Sequence, residues 1–178
     1  MFGGTWPGSV KADGTFVLQN VAEGNYDVAV FGFPDGYYVK SVRAGTDEML
    51  DVGLNVARGK AIPALDVVLS GAGGRVEGLV TNEDALPISG ALVVLIPERR
   101  TQTNLYKTTT TDQYGRFSVK GIRPGEYKLF AWEDIEPGIY HDAEFLKPLE
   151  SRGRAVRIEE SSGHAVELKL IPATPPGK

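Results

Sequence analysis

The chain contains no cysteine, which removes disulfides, thiolate metal ligands and a thiol nucleophile together. The lack of disulfides leaves the compartment open, because exported domains can do without them. Histidine occurs only at His141 and His164, so imidazole for acid–base chemistry or transition-metal binding is scarce. No stretch of about 18 apolar residues is present, which excludes a spanning helix, and no membrane insertion is expected. Met1 to Trp6 lacks the basic and apolar regions of a signal peptide, so the chain as given carries no export address. The net charge of -4, with both signs interspersed, provides no basic face for phosphates and excludes a nucleic-acid partner. Helical periodicity is also missing, apart from a single turn near Ala143 to Glu150.

What the sequence does have is 22 glycines, 11 prolines and 42% hydrophobic residues. These proportions suit many short strands joined by tight turns. A repeat organises them. Asp13-Gly14-Thr15-Phe16-Val17-Leu18 aligns with Tyr114-Gly115-Arg116-Phe117-Ser118-Val119 at an offset of 101, and the register persists through Tyr26 against Tyr127 and Phe31 against Trp132. The same shift lays Ala64 to Leu69 on Ala165 to Leu170. A unit of about 100 residues is the size of an immunoglobulin-like sandwich.

Alternation and turn residues predict seven strands in the second unit, at 75–81, 90–97, 104–111, 115–121, 126–132, 154–159 and 164–171. In the first unit the counterparts of the opening two would precede residue 1. The expected organisation is therefore an incomplete sandwich over residues 1–72, in which residues 1 to 12 could improvise one strand, followed by a complete one over 73–178. Gly71-Ala72-Gly73-Gly74 reads as a flexible hinge between them. Unpaired strand edges in the first unit predict a homo-oligomer.

Gly78-Leu79-Val80, Pro87 to Leu95, Thr111 to Phe117 and Ile122 to Tyr127 together resemble the carboxypeptidase regulatory-like domain, related to transthyretin-like and collagen-adhesin B-type sandwiches. The resemblance implies an all-β, antiparallel Greek-key, prealbumin-like sandwich. It also implies a non-catalytic binding, spacer or structural module of a bacterial surface or secreted protein, located outside the cell or in the periplasm and facing carbohydrate; the aromatic residues beyond the strand ends add a small apolar ligand as an alternative partner. Some adhesin relatives carry a Lys–Asn crosslink, but the strand Arg75 to Thr81 has no Lys and the strand Ala165 to Ile171 no Asn, so none is expected there.

One segment looks chemical. His141 and Glu144 have the spacing of a zinc-binding pair, and His164 could complete a two-His, one-carboxylate set. Acidic residues crowd the same loop, so Glu136, Asp142 and Glu144 are the candidate metal ligands, for calcium before zinc, although no EF-hand spacing is present. With a metal to polarise an ester or lactone carbonyl, His141 is the candidate general base of a hydrolase. This enzyme reading is the alternative to the non-catalytic one. No Gly-x-Ser-x-Gly elbow occurs, which argues against a serine hydrolase. Trp132 and Tyr140, beyond a strand end, are candidates for ligand stacking.

Overall fold

The computed structural model describes residues 8–61 and 63–173. The chain divides into two compact units, residues 1–29 with 41–68 and residues 30–40 with 69–178. Residues 8–70 carry five short strands: β1 (Gly24–Tyr26), β2 (Tyr38–Ala44), β3 (Asp47–Glu48), β4 (Leu54–Val56) and β5 (Leu65–Ser70). β1 pairs antiparallel with β4, and a second sheet has the order β3-β2-β5. Among the described residues of the front unit, the buried apolar side chains are only Val42, Ala44 and Leu54. The expected improvised strand falls largely on residues 1–7, outside the described residues.

The back unit contains β6 (Gly74–Thr81), β7 (Leu92–Pro97), β8 (Lys107–Thr110), β9 (Arg116–Ile122), β10 (Gly125–Trp132), β11 (Arg154–Ile158) and β12 (Gly163–Ile171). Their order is β8-β7-β10-β12-β6-β9, with β11 on β10. Alternate residues of these strands meet in one apolar core, in which Val76, Val80, Leu95, Phe117 and Leu129 are all buried. The all-β sandwich follows from this pairing. It is not wholly antiparallel: β12 runs parallel to β6 from Gly163 to Lys169 and parallel to the end of β10 at Leu170 and Ile171. One long strand thereby serves two neighbours, which ties the layers together without a free edge between them.

Local chemistry fixes the turns. Between β8 and β9, Gly115 has a φ of 74° and donates its N–H to Asp112 O, while Asp112 Oδ1 accepts from the N–H groups of Tyr114 and Arg116. This conformation favours glycine because it has no Cβ. The strand expected from 104 begins at 107, because Thr103–Leu105 forms a 3-10 turn, and the strand expected from 90 begins at 92.

The glycine-rich segment at 71–74 is not the free hinge its composition suggests. Gly73 N donates to Gly36 O at 3.2 Å, Ser161 N to Ala72 O at 2.8 Å and Arg75 N to Ser162 O at 2.8 Å. A Cβ on Gly73 would lie 2.7 Å from Gly121 Cα, so glycine here permits close backbone packing rather than motion.

Candidate functional site

β7 and β10 are covered on both faces. Val93 and Leu95 point into the main core, whereas Val94, Ile96, Phe130 and Trp132 form a second apolar cluster with Leu146 and Ile171. The cover over this cluster is the connection between β10 and β11, where the candidate site residues lie. It consists of a 3-10 turn (Ile139–His141), the single-turn helix α1 (Ala143–Leu146) and a second 3-10 stretch (Lys147–Arg152).

Each part of this cap has an identifiable anchor. Asp142 is the N-cap of α1: its Oδ1 accepts from Glu144 N at 2.8 Å and Phe145 N at 3.5 Å, satisfying donors that the helix leaves open. Leu146 is completely buried against the sheet. Trp132 stacks on Phe130 at 5.2 Å and meets Phe145 at 6.2 Å. At the far end, Glu150 accepts from Lys128 Nζ at 2.6 Å and from Arg100 Nη2, and Arg152 donates to Leu170 O. The indole Nε1–H of Trp132 is buried without a hydrogen-bond partner among the described residues. Such an orphan donor costs about 1–3 kcal/mol, which the aromatic packing has to offset.

The predicted residues share this cap but do not converge. His141 is exposed and lies over two rings, with centroids 4.3 Å from Tyr106 and 4.8 Å from Tyr140. Glu136 is exposed, and Glu144 faces Lys147 at 3.7 Å with both side chains largely in solvent. Asp142 commits an oxygen to the cap, and His164 lies on β12, 3.1 Å from Ser162 Oγ. Among the described residues no group of three or more His, Asp or Glu side chains is placed to hold a metal ion. Trp132 is 1% exposed, so its ring is a packing surface in this structure and not a ligand platform. Tyr140 is half-buried and stacks on Tyr106 at 6.3 Å.

Two contributors have no signal in the sequence pattern. Tyr106 meets the cap from a distant position, and Glu150 within the cap is paired with the distant Lys128 and Arg100, contacts that only the folded sheet brings together. Lys107 is the other surprise: it lines a small open pocket with Phe33, Asp35, Tyr37, Ser118 and Lys120. Burial pulls its ammonium below the ordinary lysine value, opposed by the charge of Asp35.

Comparison with known proteins places the back unit in context. Serine-aspartate repeat-containing protein D of Staphylococcus aureus, in strains Newman, MW2 and NCTC 8325, is 30% identical over 132 residues, which is 67% of this chain. The chain spans about 10% of the length of these curated relatives. Among solved structures, the Bacillus anthracis TIE protein aligns with a TM-score of 0.38 and 15% identity over 66% of this chain and 20% of that one. The group B streptococcus pilus 2b backbone protein aligns with a TM-score of 0.37 and 13% identity over 69% of this chain and 48% of that one. A family model, that of the carboxypeptidase regulatory-like domain, matches residues 75–134, the stretch that carries β6 to β10.

Proposed function

We propose that this chain is a non-catalytic structural or binding module of a surface or secreted protein. The observation that carries the reading is how the cap is used. Its residues with chemical potential serve packing: Asp142 caps a helix, Trp132 fills the second cluster, Tyr140 stacks on Tyr106, and the His141 ring packs against both tyrosines at a tilt. A catalytic centre instead requires groups that converge on one reacting atom, with their protonation set by that arrangement. The regulatory-like match supports a module that holds or spaces other parts of a larger protein. An exported location accords with the same resemblance, and among the described residues no helix is long and apolar enough to cross a membrane. A carbohydrate or small apolar ligand would meet the exposed edges of Tyr140, Tyr106 and His141, not Trp132.

The test is an array of ester, lactone and peptide substrates, with and without calcium or zinc, read alongside thermal melting. The expected result is no turnover above buffer and no shift in melting temperature with either ion. Turnover, or a metal-induced rise in melting temperature, that disappears in His141→Ala/Glu144→Ala with the fold intact would establish the hydrolase reading instead.

A further inference from the structure

The sheet of the back unit ends on β8 at one side and on β9 at the other, and among the described residues no ladder joins these two strands. Lys107 opens β8, while Ser118 and Lys120 project outward from β9 on either side of buried Val119. Residues 33–37 belong to the same unit and complete the walls of a pocket with these three side chains.

Backbone packing fixes that wall. Tyr37 N donates to Pro34 O at 3.2 Å, closing a turn in which Gly36 holds a φ of 90°. Gly73 N donates to Gly36 O at 3.2 Å, and a Cβ on Gly121 would lie 2.4 Å from Tyr37 O, so β9 and the turn meet backbone to backbone. Just beyond the turn, Tyr38 Oη and Lys40 Nζ donate to Glu160 Oε1 at 3.0 and 2.8 Å. The pocket is thus preformed, which lowers the ordering cost of binding. Its volume of about 360 Å³ lies near the lower end of the roughly 300–1,000 Å³ of small-ligand sites, room for one sugar-sized molecule.

The charges lining it are unbalanced. Two ammoniums, Lys107 and Lys120, face the single carboxylate of Asp35. Among the described residues neither lysine makes a hydrogen bond or a salt bridge, and Asp35 acts on Lys107 through its charge without direct contact. Lys107 is half-buried, and burial disfavours its charged form. A desolvated ammonium of this kind is stabilised by an anion that pairs with it directly.

We infer that this pocket is a binding site for a small hydroxylated carboxylate with the size and chemistry of a uronic acid. Lys107 and Lys120 take the carboxylate. Asp35 and Ser118 hydrogen-bond hydroxyl groups, and the ring of Tyr37, 40% exposed, offers an apolar face to the sugar. A neutral sugar leaves the Lys107 ammonium unpaired, and the second charge of a phosphate meets Asp35. The inference rests on this pocket and not on the cap, so the absence of a ligand at Tyr140 and His141 leaves it intact.

The test is amide NMR of the intact chain titrated with sodium glucuronate, glucose or inorganic phosphate at constant ionic strength. Glucuronate is expected to shift Asp35, Tyr37 and Ser118 saturably, with a Kd on the order of millimolar, ahead of phosphate and with no saturation by glucose. Lys107→Met should weaken glucuronate by about ten-fold or more, and Lys120→Gln, at an exposed position, by several-fold. Asp35→Asn should strengthen phosphate by more than it strengthens glucuronate, because it removes the repulsion. Absence of saturable shifts overturns the proposal, as does glucuronate binding that is unchanged in both lysine variants. Equal binding of glucose, or tighter binding of phosphate by the original chain, would show a different ligand class and equally overturn it. Shifts confined to Tyr106, Tyr140 and His141 would place the sugar on the cap and do the same.

Discussion

Residues 11–26 and 112–127 fold through the same turn hydrogen bonds, yet one stretch ends in a three-residue strand and the other in an eight-residue strand. The difference lies outside both segments. In the back unit β6 and β7 flank β9 and β10, so each inward side chain gains a partner layer, and each backbone group gains a ladder bond. Local propensity specifies the turns; long-range pairing decides whether the intervening residues become a sheet. Conformation at the turns is therefore common to the two units, and burial is not.

Paired substitutions at the 101 offset can break this comparison or sharpen it. The largest effect is expected from Phe117→Ala, which empties a core position and should destabilise the back unit by about 3–5 kcal/mol in denaturant unfolding. Phe16→Ala, at a position with incomplete cover, should cost less than about 1 kcal/mol. Equal losses would mean that the front unit has a core of comparable quality. Next comes the tyrosine pair. Tyr127→Phe removes a hydroxyl from a ring that is 3% exposed and should cost about 1–2 kcal/mol, whereas Tyr26→Phe, whose hydrogen bond is exposed, should stay within about 0.5 kcal/mol.

The smallest effect belongs to Lys107, whose counterpart Trp6 lies outside the described residues. Burial depresses its ammonium pKa, so folding disfavours the charged form. The resulting penalty is fully present below the depressed folded value and is relieved as pH rises from there toward the unfolded lysine value. Lys107→Met should therefore raise the melting temperature by a few degrees at neutral pH, with the gain shrinking in alkaline buffer. A gain that grows with pH would contradict the assignment.

Much of the back unit is legible in its sequence because alternation over β6, β9 and β12 leaves one polar and one apolar face. The uninterrupted apolar run Leu92 to Ile96 signals a strand covered on both sides, but not what covers it. The cap is harder to read because its acids look like ligands when counted along the chain. Only the fold shows Asp142 turned onto its own helix N-terminus and Glu150 paired with Lys128 and Arg100. Trp132 is misplaced as a ligand platform for the same reason: its position at a strand end is visible, while Phe145 and Leu146 above it are brought there by the turn. The glycines at 71–74 are ambiguous in principle, since the absence of Cβ permits both freedom and close approach, and only their neighbours distinguish the two.

The central claim is that identical local turns support unequal sheets. Residue-resolved hydrogen exchange on the intact monomer tests it most directly, through the amides of β9 and β10 against those of residues 15–21 and 24–29. The account predicts that β9 and β10 exchange only through unfolding of the whole back unit, while the front-unit amides exchange through local opening, faster by about a thousand-fold or more. Comparable protection in the two sets would contradict it.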